Sequence, residues 1–151
     1  MRRIETEILI NATLSRVWEA IADLKGYEKW CSSIRFEKGQ PGLHQPLVMV
    51  TGAPDGSGKT YKGKGRIIEF IPYCSLTWSG GIKGVLEGHH FWHLSCCIDG
   101  RTKLIQGEDF YGLYPFFAGN RKIQSFKPFY ENINAELKRH VERQENGTPW
   151  R

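Results

Sequence analysis

Hydrophobic and polar positions change period along this chain, and each change marks a new element. In the first ten residues Ile4, Thr6, Ile8 and Ile10 alternate with Glu5 and Glu7, the period of a strand with one buried face. The segment NATLSRVWEAIADLKGYEKW then switches to helical spacing, with Leu14, Val17, Trp18 and Ile21 on one side and Asn11 or Thr13 placed to cap it. Gly26 separates this helix from a second short turn ending near Trp30, so two small helices are expected. From Ser33 to Leu113 the runs SIRFEK, QPLVMVTG, TYKGKGRIIEFI, SLTWSG, VLEGHHFWHLSCCI and RTKLIQGEDFYGL are β-rich and divided by Gly, Pro and Asp-Gly clusters, which predicts a sequential antiparallel meander. After Pro115 the helical period returns. Phe126, Tyr130, Ile133, Leu137 and Val141 share one stripe, with Lys127, Glu131, Glu136, Lys138 and Arg143 opposite. Pro128 lies either near the start of that helix or at a kink in a longer one beginning around Phe117.

This order predicts an α+β fold with a seven-stranded antiparallel sheet. One face of such a sheet must be buried, and the last helix is the only element long enough to cover it. With 151 residues, 40% of them hydrophobic, a single core is expected over residues 1–145, followed by a frayed tail at 146–151. Aromatic residues are abundant, with 5 Trp, 6 Tyr and 8 Phe, and that surplus needs a destination.

The net charge of +5 is an ordinary solubility charge spread from Arg2 to Arg151. The densest basic run, Lys138, Arg139, His140 and Arg143, is interleaved with Glu136, Glu142 and Glu145, so no nucleic-acid stripe is expected. Cys31, Cys74, Cys96 and Cys97 lack CxxC spacing and read as free thiols. No stretch reaches the roughly 18 apolar residues of a membrane span, and MRRIETEILI has no signal-peptide pattern, so a cytoplasmic location is expected.

Two motifs invite chemistry that their context withholds. APDGSGKT, residues 53–60, ends like a phosphate-binding loop, yet no helix follows to supply the amides that hold phosphate; a hairpin loop is the better reading. In EGHHFWHL, His89 and His93 share one face of a strand and His90 the other. No carboxylate or thiol pattern completes a metal set, so His89 and His93 are expected at the surface.

Several local patterns, taken in order, resemble the START-like (SRPBCC, birch-pollen-allergen-like) superfamily, in particular its polyketide cyclase/dehydrase-like branch. The carriers are ILINATLSRVWEAIAD with Tyr27 and Trp30, then SLTWSGG, EGHHFWHL, DGRT, EDFYGL and FYENINAELKRHVE, spanning Ile4 to Glu142. The resemblance implies a helix-grip fold, a curved sheet wrapped around the C-terminal helix with an internal cavity between them. Members bind lipids, sterols, polyketides and other hydrophobic molecules, and some catalyse cyclisation or dehydration there.

His90 falls on the histidine of the family's Gly-x-His-x-Phe-x-Leu strand, with Gly88 and Leu94 matching and Trp92 in place of the Phe. A two-residue Asp99-Gly100 turn would set His90 opposite Asp109. A three-residue loop, Ile98 to Gly100, would set it opposite Glu108. The second register is favoured, since it puts Leu94 opposite Leu104 and matches the family's Glu-x-Phe-x-Gly strand at Glu108, Phe110 and Gly112. His90 and Glu108 would then be candidate acid/base residues, or would satisfy each other's hydrogen bonds; Glu108 could instead pair with Arg66 or Arg101. Trp30, Trp78, Trp92, Phe110, Phe126, Tyr130 and Ile133 are candidate lining residues, and Asn134 a polar group that could orient a ligand.

The leading expectation is binding of a hydrophobic or aromatic small molecule, lipid- or polyketide-like, between sheet and helix. The alternatives are a cyclase, aromatase or dehydratase using His90 and Glu108, and a protein-interaction or regulatory module. No motif implies a cofactor or metal; the expected partner is a hydrophobic small molecule, with a monomer or homodimer as the assembly.

Overall fold

The computed structural model describes residues 1–147. The element order is β1 (Arg2–Ile10), α1 (Leu14–Ala22), a 3₁₀ turn (Leu24–Lys29), β2 (Ile34–Lys38), β3 (Pro46–Gly52), β4 (Thr60–Ile71), β5 (Ser75–Ile82), β6 (Leu86–Cys96), β7 (Thr102–Tyr111), α2 (Leu113–Gln124) and α3 (Lys127–Gly147). All seven strands form one sheet in the order β1-β7-β6-β5-β4-β3-β2. Each pairing is antiparallel, and only β1 pairs out of sequence, against β7. This is the expected α+β helix-grip architecture.

Local chemistry sets the element ends. Of the two candidate caps for α1, Thr13 does the work, its hydroxyl accepting from the Arg16 amide. Asn11 instead donates its backbone N–H to Glu142 of α3 at 2.8 Å. Asp23 starts the 3₁₀ turn by accepting from the Gly26 amide. The β6–β7 hairpin has the three-residue loop: Cys97 N–H donates to Arg101 C=O at 2.8 Å, and Gly100 takes φ +85°, which disfavours a side chain. His90 therefore lies opposite Glu108, and Leu94 opposite Leu104.

The C-terminal region differs from a single helix. Pro128 is the second residue of α3, in the first turn where its missing N–H costs nothing, and it kinks no longer helix. A separate α2 begins at Leu113, four residues before Phe117, and breaks at Gly119, where φ is +78°. It buries only Pro115 and Ile123, so it leaves almost no periodic apolar stripe to read. Helix α3 continues through Gly147, and the remainder of the expected tail, 148–151, lies outside the described residues.

Antiparallel register arranges the concave face in rows that run across the strands. One row is Ile4, Glu108, His90, Trp78 and Ile67, contributed by β1, β7, β6, β5 and β4. On one side of it lies Thr6, Gln106, Trp92 and Leu76. Beyond those, α3 sets Ile133, Leu137 and Val141 directly onto the sheet, in the core that holds Val17, Ile21, Trp92, Leu94 and Leu104. On the other side lies Phe110, Gly88, Gly80, Gly65 and Leu47. Three neighbouring strands thus present glycine to the helix, and no side chain rises from the sheet there.

The three glycines differ in what a methyl group would meet. A Cβ at Gly65 would stand 2.1 Å from the Ser79 carbonyl oxygen, a backbone atom that cannot step aside, whereas one at Gly80 would meet only ordinary contacts from 3.6 Å. Gly65→Ala should lower stability by about 1–3 kcal/mol and Gly80→Ala by well under about 1 kcal/mol, read as a urea-midpoint difference at equal slope.

Candidate functional site

Above the glycine row the sheet and α3 enclose a cavity of about 650 Å³. Its walls are mainly apolar, with Ile34, Met49, Trp78, Leu86, Phe110 and Phe129 among them, and its inner end carries His90, Glu108 and Tyr130. Every one of those polar groups is set by register or helix phase. Glu108 and His90 are opposite one another across β6–β7, Trp78 is opposite His90 across β5–β6, and Tyr130 of α3 reaches the row through its hydroxyl on Glu108.

The contacts form a continuous polar chain. Asn134 Nδ2 donates to Thr6 Oγ1 at 2.7 Å, and Thr6 Oγ1 donates to the Gln106 carbonyl at 2.7 Å. Gln106 Nε2 in turn donates to His90 Nε2 at 3.3 Å. Because the amide nitrogen is the donor there, His90 Nε2 accepts and the ring's proton resides on Nδ1. That Nδ1 faces Glu108 Oε2 at 3.9 Å, and the same oxygen accepts a short hydrogen bond from the Tyr130 hydroxyl. The imidazole also stacks flat on Trp78, centroids 4.5 Å apart and planes within 1°.

Burial governs the charge states. With no counter-charge to offset desolvation, His90 is pushed down to about 3 and is a neutral imidazole at physiological pH. Desolvation, opposed by the Tyr130 hydrogen bond and reinforced by the nearby Asp109, raises the Glu108 carboxyl to about 7. Its side chain still keeps about 21% of its surface, turned to the cavity. Tyr130 is driven well above its ordinary value by burial and the adjoining carboxylate. The result is a carboxyl that both gives and takes a proton near neutral pH, flanked by a neutral Nδ1–H and a phenol, at the end of an apolar space. Gly88 makes room for it, since a Cβ there would lie 1.9 Å from Glu108 Oε1. Asp109 is on the other face, held by Arg3 at 2.6 and 2.7 Å; neither Arg66 nor Arg101 pairs with Glu108.

Of the candidate residues, the structure brings Trp78, His90, Glu108, Phe110 and Tyr130 together on the cavity. It places five others elsewhere. Trp92 is fully buried one row away, Ile133 belongs to the solid core, and Phe126 packs with Ile4, Phe110 and Ile123. Asn134 donates its Nδ2 to Thr6 away from the cavity, and its buried Oδ1 has no hydrogen-bond partner among the described residues. Trp30 packs on Tyr27, stacks near His140 and edges a small surface depression. The physical reason is common to them: residues before and after Tyr130 on the helical stripe pack onto the sheet while Tyr130 itself reaches both Glu108 and the cavity, so the stripe marks the buried face without marking where the packing opens. Met49, Ile34, Thr51, Tyr61, Leu86 and Phe129 line the cavity without having been singled out. The signal that could have found it was Gly65, Gly80 and Gly88 inside strands, a mark of close approach or open space.

The other motifs resolve as local structure. The APDGSGKT loop closes with Ala53 N–H donating to Lys59 C=O at 2.8 Å, and β4, not a helix, follows. His89 pairs with Glu87 at 2.9 Å, and His93 is half-exposed near Glu69. Among the described residues no group of three His, Cys, Asp or Glu side chains is placed to hold a metal, and no helix is long and apolar enough to cross a membrane.

An antiparallel sheet gripping a C-terminal helix over an open apolar cavity defines the helix-grip class of α+β domains, and the comparisons agree on that fold. The chain belongs to the family described as polyketide cyclase / dehydrase and lipid transport, whose model matches residues 1–142. Among solved structures, the Zhui aromatase/cyclase from Streptomyces sp. R1128 superposes with a TM-score of 0.75 at 15% identity, covering 97% of this chain and 96% of that one. Protein CV1439 from Chromobacterium violaceum gives 0.71 at 16% identity, covering 94% and 99%. Ara h 8.0201 gives 0.68 at 14%, covering 94% and 98%. These likenesses establish the fold. No curated protein matches the chain by sequence.

The two buried titrations oppose one another. His90 sits below its ordinary 6.5, so its contribution to stability falls as pH drops from about 6.5 towards 3. Glu108 sits above its ordinary 4.5, so its contribution falls as pH rises from 4.5 to about 7. In Glu108→Gln only the first slope remains, and the urea midpoint should drop between pH 7 and about pH 5 by more than in the wild type. Tyr130→Phe removes the hydrogen bond that holds Glu108 down, so its carboxyl should titrate above about 7 when followed by ¹³C NMR.

Proposed function

We propose that this domain binds a hydrophobic or aromatic small molecule, lipid- or polyketide-like, in the cavity between the sheet and α3. The observation that carries the reading is the cavity itself, about 650 Å³, apolar along its length and polar at one end. That volume falls within the roughly 300–1,000 Å³ usual for small-molecule sites, and a few convergent polar groups in an apolar wall are what orient a ligand. The inner end offers Tyr130, Glu108 and the His90 Nδ1–H to a carbonyl or hydroxyl, and Trp78 gives a flat ring to an aromatic one.

A second reading, catalysis of a cyclisation or dehydration, is favoured by one feature, the Glu108 carboxyl at about 7 beside a neutral imidazole. A carboxyl so poised removes a proton α to a ligand carbonyl and returns it to a leaving hydroxyl, with Tyr130 and His90 as hydrogen-bond donors to developing negative charge. The family's description and the aromatase/cyclase among the structural relatives support the same chemistry.

Native mass spectrometry of the purified protein, followed by denaturing extraction, tests the binding reading. The wild type should retain a small apolar molecule, and Gly80→Leu, which fills the cavity where a Cβ meets no clash, should lose it about tenfold or more at a nearly unchanged melting temperature. Equal retention by both proteins overturns the cavity as the site. For the catalytic reading, Glu108→Gln should slow turnover of a true substrate by about 10²-fold or more while leaving binding within a few-fold. An unchanged rate removes Glu108 from any reaction.

A further inference from the structure

Outside the cavity, the largest unexplained feature is apolar surface collected at its rim. Helix α2 exposes Leu113 (61%), Tyr114, Phe116 (69%) and Phe117 (79%), and the β5–β6 turn beside it exposes Ile82 (68%) and Val85. The two segments are joined edge to edge: Leu113 N–H donates to Gly84 C=O at 3.0 Å and Tyr114 N–H to Val85 C=O at 2.9 Å. Ile82 lies on both sides of this boundary, since it also lines the cavity together with Leu86. Singly exposed apolar residues need no explanation, but six on two adjoining projections do.

The charge around them is mostly positive. From Phe110 to Tyr130 the sequence carries Arg121, Lys122 and Lys127 and no acidic residue, and the β5–β6 turn carries Lys83. Glu87 is paired with His89 and Asp109 with Arg3, while Asp55, held below its ordinary value by hydrogen bonds from Ser57 and by nearby Lys122, is an acid beside these cations. A second copy docked on this patch about a two-fold axis would bring Lys83, Arg121 and Lys127 against their equals, with Asp55 already beside its own Lys122. An anionic bilayer fits both features, taking aromatic and aliphatic side chains into the headgroup–acyl boundary and lysines at its phosphates.

We propose that α2 and the β5–β6 turn form a peripheral docking surface for an anionic lipid bilayer, which sets the cavity mouth against the membrane. The docking does not depend on what fills the cavity. Co-sedimentation with vesicles tests it, using phosphatidylcholine alone and phosphatidylcholine with phosphatidylglycerol added at roughly a third of the lipid. The wild type should bind the anionic vesicles about tenfold or more better than the neutral ones. Phe116→Ser with Phe117→Ser, at positions too exposed to affect folding, should weaken that binding about tenfold or more. Lys83→Glu with Lys122→Glu should remove the preference for anionic lipid. Three results would overturn the proposal: no sedimentation with either vesicle, sedimentation that both double variants leave unchanged, or a wild-type dimer in light scattering that the phenylalanine variant dissolves, which would assign the patch to a second copy. Gly80→Leu should dock as the wild type does even if it holds no ligand, which separates this surface from the cavity reading.

Discussion

Space between a helix and a sheet stays open only where the sheet raises no side chains to fill it. In this chain that condition is met by Gly65, Gly80 and Gly88, three residues far apart in sequence that antiparallel register sets side by side. On one side of that row stand Ile67, Trp78, His90 and Glu108, and beyond them α3 is packed tight. The cavity, its polar end and the position of Tyr130 all follow from this alternation of a bare row and a filled one. A close-packed interior would otherwise have no reason to leave about 650 Å³ open, since unfilled apolar space forfeits dispersion contacts.

The polar end is supported from outside the cavity. Asn134, Thr6 and Gln106 do not reach it, yet through them α3 and β1 orient the His90 ring and determine which nitrogen carries the proton. A chain of buried hydrogen bonds of this kind rigidifies what it connects. The Glu108 carboxyl, pressed by desolvation and relieved by Tyr130, is left near the middle of its titration in neutral solution. The same desolvation makes this pair costly as an ion pair.

Much of the fold was legible in the order of periods along the chain. The strand rhythm of Ile4 to Ile10, the helical stripe of Phe126 to Val141 and the Gly-rich turns between them lead to the seven-stranded sheet and its covering helix. The hairpin register was legible as one of two alternatives, favoured because Gly100 has the freedom the left-handed loop position needs and Leu94 has a natural partner in Leu104, and the fold adopts it. Helix α2 was not, since it buries only Pro115 and Ile123 and its exposed phenylalanines mimic no face at all. Of the cavity lining, His90, Glu108, Trp78, Phe110 and Tyr130 were readable from strand positions and helix phase, while Trp30, Trp92, Phe126 and Ile133 belong to packing and Asn134 to the hydrogen-bond chain behind His90.

The amino-acid sequence by itself determined which residues face inward, because side-chain direction follows from a period of two in strands and 3.6 in helices. It also determined the pairing that puts an imidazole opposite a carboxylate. Only the tertiary structure decided which inward residues meet a neighbour and which meet a void. That distinction depends on the distance between two elements, and no single element's pattern contains it. The same holds for proton affinities: Glu108 and His90 have ordinary values as residues, and they acquire values of about 7 and about 3 only when the fold removes their water.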